Sequence, residues 1–154
     1  MTGPRSRRST WSSESGAELI EFALALPMLL LLGFGILDFG ILFQRYEVIT
    51  NAAREGARVA VLPGYGAADA IARVDQYMAA AGLTASYPAP VIVTETIPVG
   101  AQCATLTSVT VTYPQSLSLV AGIASYFGAT GLSRTGITAT SQMRNEVPAG
   151  GCGP

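Results

Sequence analysis

The chain has 154 residues, 49% of them hydrophobic and 12% charged, with a net charge of -1 and a mean hydropathy of +0.41. This composition is too apolar for an ordinary soluble domain of this size. The chain contains no histidine, which excludes a Ser-His-acid triad, a Cys-His dyad and histidine metal sites.

Residues 1–16 form a basic, polar leader. The segment reads MTGPRSRRSTWSSESG, carries three arginines and has no apolar period, so we expect it to be disordered and to stay on the cytoplasmic side. The rest of the chain has six arginines against nine acidic residues. Because this part of the chain is net negative, it does not attract the phosphate backbone of nucleic acid, and we expect it to bind none.

The next segment is long and apolar enough to cross a membrane once. No charged residue occurs from Phe22 to Leu37, and the apolar pattern resumes after Asp38 and runs to Phe43. A hydrocarbon core of about 30 Å needs roughly 20 helical residues. We therefore predict a transmembrane helix over residues 17–43, with the N-terminus cytoplasmic and the C-terminal part outside.

The helix is expected to continue beyond the membrane through residues 44–62. Small residues recur there at three- and four-residue steps, which predicts close packing against an outer domain. Pro63-Gly64 ends the pattern. The whole helix, residues 17–62, would be about 69 Å long.

Residues 63–154 are predicted to form a small outer domain. A helical period covers residues 66–82, and strand patterns cover residues 91–97, 108–113 and 137–144. Residues 116–127 are apolar and are either a short helix or a hydrophobic loop. The predicted fold class is α+β: a long transmembrane helix, a second helix and an antiparallel sheet of three or slightly more strands, a pilin-like architecture.

The junction between leader and apolar helix does not fit an ordinary signal peptide, because the small-x-small pattern Ala23-Leu-Ala25 lies inside the apolar run. Instead, Gly16 ends the leader and Glu21 follows five residues later. This spacing resembles the prepilin processing site of type IV pilins, and Glu21-Phe22 is similar to the acidic-aromatic pair of the Flp/Tad branch. Four runs resemble the TadE-like family of tight-adherence (Tad) pilus proteins: EFALALP at 21–27, FG at 39–40, NAAREGAR at 51–58 and MRNE at 143–146.

The resemblance implies a bacterial inner-membrane protein that a prepilin peptidase cleaves between Gly16 and Ala17. It further implies a minor pilin or pseudopilin that contacts other Tad pilins and the assembly platform. Flp major pilins are typically very short and lack an outer domain of this size. The expected role is assembly, with no enzymatic activity and no cofactor or metal.

Cleavage would leave an ammonium group on Ala17. An ionised Glu21 costs about 2.5–3.5 kcal/mol at a bilayer centre and less near the interface, so it favours a nearby cation. The ammonium of a neighbouring subunit can supply that cation, and Glu21 with Phe22 would then set the register between subunits. The alternative is that Glu21 snorkels to the cytoplasmic surface.

Four further charged residues are candidates for subunit contact. Asp38 lies about 24 Å along the helix from Phe22, where it either snorkels to water or meets another subunit. Glu55 and Arg58 are spaced to pair at i, i+3, beside Arg54. These three residues form either a solvated face or a contact with a neighbouring pilin.

Cys103 and Cys152 are the two cysteines of the chain. In an oxidising compartment they would form a disulfide that stabilises the outer domain by about 4 kcal/mol in the chain-entropy model. Two free thiols are the alternative.

A second function stays open from sequence alone. A signal-anchored membrane protein that keeps residues 1–16 and uses its outer domain to bind a ligand or partner would share most of these features. An anchored hydrolase without histidine is a third, weaker option.

Overall fold

The computed structural model describes residues 11–99, 102–126, 128 and 135–145. The elements confirm the α+β prediction: a long apolar helix, a second helix and a three-stranded antiparallel sheet. Residues 118–126 are helical, which decides between the helix and the loop expected there. In chain order the elements are α1 (Trp11–Ala60), α2 (Ala67–Ala80), β1 (Val91–Val99), β2 (Gln102–Gln115), α3 (Ser118–Tyr126) and β3 (Thr135–Arg144).

Helix α1 is a single helix of 50 residues, about 75 Å long at 1.5 Å per residue. It begins at Trp11, so the prediction of a disordered leader is wrong for residues 11–16. Extending an existing helix adds one hydrogen bond for each residue that is ordered, and the serines and glutamate of this segment do not prevent it. Residues 1–10 lie outside the described part of the chain.

Among the described residues, one helix is long and apolar enough to cross a membrane, and it is α1. None of its most apolar 18-residue window is buried within the protein. Large apolar side chains from Leu19 to Phe43 are exposed, and Met28 is 75% exposed. This half of α1 anchors the protein in a membrane, because water is an unfavourable environment for so continuous an apolar surface.

The outer half of α1 packs on the sheet and on α2. β2 is the central strand of the sheet, with β1 and β3 antiparallel on either side. Side chains of β2 point alternately to the two faces of the sheet. One face is buried, and the other carries threonines that hydrogen-bond to threonines of β3. The core cluster is formed by Ile49, Ala52, Ala53, Ala57, Val74, Met78, Leu83, Val109, Val111, Tyr113, Ile137 and Ala139.

Gly56 lies where α1 closely approaches α2 and β2. A Cβ atom at this position would lie 2.5 Å from Val74 Cγ2 of α2 and 3.4 Å from Val109 Cγ1 of β2. The predicted stripe of small residues therefore does pack against the outer domain. At Gly56, where α1, α2 and β2 meet, there is no room for a larger side chain without a shift of its neighbours.

Candidate assembly surface

The predicted processing site lies within the first turns of α1. Ala17 is exposed, and a Cβ atom at Gly16 would meet no other atom within 4 Å. The backbone is helical here, so a peptidase that binds an extended substrate needs these turns to unwind. Glycine lowers helix stability by about 1 kcal/mol relative to alanine, which favours such unwinding at Gly16.

Glu21 and Phe22 lie on an exposed face of α1, a few residues beyond Gly16. Phe22 is 58% exposed, and Glu18, Glu21, Phe22 and Ala25 line one shallow surface. Within the described residues, Glu21 has no hydrogen-bond or ion-pair partner. Sequence reasoning missed Glu18, although its i, i+3 spacing from Glu21 indicates that the two carboxylates share this face.

Asp38 is buried by α3 of the same chain. The residue is 3% exposed, and its carboxylate accepts hydrogen bonds from the backbone N–H groups of Leu119 at 3.1 Å and Val120 at 2.8 Å. These groups belong to the first turn of α3, where N–H groups have no partner inside the helix and a negative charge is favourable.

The expectation that Asp38 snorkels to water is therefore wrong. The carboxylate is held by a helix 81 residues away in the chain, a separation at which sequence spacing carries no information. While α3 stays docked, Asp38 is not available to a neighbouring subunit.

Replacing Asp38 by alanine should release the start of α3 from α1. Two backbone N–H groups would lose their acceptor, and an unsatisfied buried polar group costs about 1–3 kcal/mol. Hydrogen exchange at the amides of Leu119 and Val120 should become faster by a matching factor. Asp38→Asn is the control, because it keeps a side-chain oxygen as acceptor and should show a smaller increase. Equal exchange in Asp38→Ala and the unsubstituted protein would contradict the docking role.

Glu55 joins α1 to α2 through two arginines. Its Oε2 atom lies 3.3 Å from a guanidinium nitrogen of Arg58 and 3.3 Å from one of Arg73. The pairing with Arg58 was predicted from the i, i+3 spacing and is confirmed. Arg73 was missed, because it lies on α2 and meets Glu55 only when the two helices pack.

Glu55 lies about 18 Å beyond Phe43, outside the predicted span. Desolvation alone would raise the pKa of Glu55, but the hydrogen bonds and positive charges of Arg73 and Arg58 outweigh it, so this pKa lies below its ordinary value. The interaction therefore stabilises the fold above the ordinary pKa of glutamate and is lost as the pH falls through the lowered value. The partly exposed position keeps this contribution small.

Arg54 lies about one helical turn before Arg58 and takes no part in the ion pairs of Glu55. It is exposed, and among the described residues it forms no ion pair. We call the surface on which it lies the outer strip of α1. The outer strip consists of Tyr46, Glu47, Thr50, Asn51 and Arg54.

The predicted disulfide stays a prediction. Cys103 is buried at the start of β2, whereas Cys152 lies outside the described residues. Glu146, the last residue of the MRNE run, also lies outside them. Across the part of the chain that the structure describes, no group of three or more cysteine or acidic side chains is arranged to hold a metal ion.

The comparison with known protein families matches part of helix α1. Residues 16–58 match the family described as TadE-like protein. The matched segment includes the predicted processing site, Glu21, the apolar span and the outer strip. No curated protein and no solved structure was found to match the chain.

Proposed function

We propose that this chain, which carries a TadE-like domain over residues 16–58, is a minor pilin or pseudopilin of a Tad-type pilus. In this proposal a prepilin peptidase cleaves it after Gly16. The mature protein stays in the bacterial inner membrane, with its N-terminus cytoplasmic and its outer domain outside, until it joins or primes a filament. Its role is structural, with no reaction of its own and no cofactor.

The observation that carries the proposal is the carboxylate of Glu21, which has no partner among the described residues and lies on an exposed apolar part of α1. Leu19, Ile20 and Phe22 around it are exposed, so the described residues supply neither a partner for the charge nor cover for the apolar surface. In a bundle of such helices, neighbouring subunits would supply both. The new ammonium group on Ala17 would be the cation for the Glu21 of the next subunit.

The outer strip offers a second contact above the membrane. The apolar span and the outer strip lie on the same continuous helix, and Arg54 is free of ion pairs within the described residues. An acidic group on a neighbouring pilin would pair with Arg54. Glu55 and Arg58 are less suited to this, because both already interact within the chain.

The N-terminus of the native protein tests the proposal against its alternative. Intact-mass measurement of protein purified from membranes should show a chain that begins at Ala17. A signal-anchored binding protein would keep residues 1–16 attached. Recovery of the full-length chain alone, from cells that express the complete Tad machine, would therefore favour the simple anchor and overturn the proposal.

Replacing Glu21 by glutamine should leave processing intact and reduce the number of pili, or the amount of this protein in them. The substitution keeps the size of the side chain and removes the charge that the Ala17 ammonium would neutralise. Electron microscopy of pili, with immunoblots of sheared filaments, measures the effect. Glu18→Gln is the matched control on the same face; it lies nearer the aqueous interface and should have a smaller effect. Undiminished incorporation of Glu21→Gln would refute the register role.

A further inference from the structure

Helix α3 docks on the membrane-spanning half of α1. Its first turn is held by Asp38, and a Cβ atom at Gly35 would lie 4.0 Å from Val120 Cγ2. Both α1 positions fall inside the exposed apolar run that ends at Phe43. α3 thus lies beside the membrane-spanning part of α1, closer to the membrane centre than Phe43.

The depth of α3 in the membrane can be judged from its position relative to Arg45, the first charged residue after Asp38. Arg45 donates a hydrogen bond to Gln115 Oε1 at the end of β2, which places a polar contact at the outer end of the apolar run. Asp38 precedes Arg45 by seven residues, or about 10 Å along the helix axis. The N-terminus of α3 therefore lies about 10 Å closer to the membrane centre than this contact.

The chemistry of α3 suits that depth. No charged residue occurs in residues 116–133, and the first N–H groups of the helix are satisfied by Asp38. The Ala121 N–H bonds to the Leu117 carbonyl at 3.0 Å, and the Ser125 hydroxyl bonds to the Gly122 carbonyl at 2.8 Å. Hydrocarbon tolerates a helix only when its polar groups are satisfied within the protein, and these bonds satisfy several of the polar groups of α3.

We propose that α3 lies in the outer leaflet of the membrane, in contact with phospholipid acyl chains, and that Asp38 docks it on the span. Leu119, Gly122 and Ser125 form its exposed face, and the span on which α3 docks also exposes large apolar side chains. α3 covers the Asp38 charge, which would otherwise meet lipid directly. The outer domain is therefore held against the membrane surface and does not stand away from it on a bare helix.

This inference rests on the membrane anchor of α1 and needs neither cleavage at Gly16 nor entry into a filament. A depth measurement and the N-terminal mass are thus independent readouts. Either result can fail while the other stands.

Single-tryptophan reporters test the position of α3. The only native tryptophan is first removed by the substitution Trp11→Phe. In this variant, Leu119→Trp then places a single tryptophan on the exposed face of α3. The full chain is reconstituted at less than one copy per vesicle in phosphatidylcholine with brominated acyl chains. Tyr65→Trp is the matched control, because Tyr65 is an exposed aromatic residue in the turn after α1.

The Leu119→Trp reporter should emit at short wavelength, lose most of its emission to brominated lipid and resist aqueous iodide. The Tyr65→Trp reporter should show the opposite pattern. Quenching of the α3 reporter by iodide would place the helix in water and overturn the proposal. Protection from both quenchers would mean that protein covers this face, which would overturn it equally. Ser125→Trp, on the same face, repeats the measurement if Leu119→Trp alters the circular dichroism spectrum.

Discussion

Replacing Gly56 by leucine should unfold the outer domain while leaving α1 helical. Even a Cβ atom would lie 2.5 Å from Val74 Cγ2 and 3.5 Å from the Ala70 carbonyl oxygen. Val74 is fully buried and β-branched, so its side chain cannot rotate away without a new clash. Overpacking by extra methylene groups typically costs about 1–3 kcal/mol. Leucine adds four heavy atoms at a junction of three elements, and domains are stable by only about 5–15 kcal/mol.

The alanine variant gives a graded version of the same test. Gly56→Ala introduces the clash but gains about 1 kcal/mol of helix propensity, so a net loss of about 0–2 kcal/mol is expected after overpacking. Hydrogen exchange at the β2 amides of Val109 and Val111 reports the outer domain separately from α1. Gly40→Ala is the control, because nothing lies within 4 Å of its Cβ position on the same helix. Native-like protection of these amides in Gly56→Leu would refute the packing argument.

Replacing Gly16 by leucine should abolish processing without affecting the fold. Apart from the local backbone of α1, no atom lies within 4 Å of a Cβ at Gly16, so the folded chain has room for the new side chain. The proposed peptidase must bind the backbone closely at this residue, and a branched side chain there hinders that binding. Intact mass should therefore show that residues 1–16 remain attached.

Gly33→Leu is the matched control for the processing experiment. Gly33 lies on the same helix with no atom within 4 Å of its Cβ position, so the variant should be cleaved normally. Without cleavage there is no ammonium group on Ala17, and Glu21 loses its proposed cation. Pili should therefore lack Gly16→Leu protein. A Gly16→Leu chain that still begins at Ala17 would show that cleavage does not depend on Gly16.

The sequence by itself determined the kinds of element, the anchor and the candidate processing site. The charge-free run after Glu21 specifies a membrane helix, because its length matches a bilayer. Alternation near Val109 and Ile137 specifies strands with one buried face, because strand side chains alternate between faces. The run 51–58 indicated both packing and the pairing of Glu55 with Arg58, since helical spacing brings such residues together. The error at residues 11–16 arose because composition predicts disorder. An adjoining helix removes the free-energy cost of nucleation, so further helical turns form more readily.

The tertiary structure alone decided which distant residues meet. The pairing of Arg73 with Glu55 and the burial of Asp38 under α3 depend on how the chain folds back on α1. No local period encodes such contacts, because they bring together groups that lie far apart along the chain. For the same reason, the sequence offered only water or another subunit as surroundings for Asp38, whereas in the folded protein its carboxylate bonds to backbone N–H groups of another helix of the same chain.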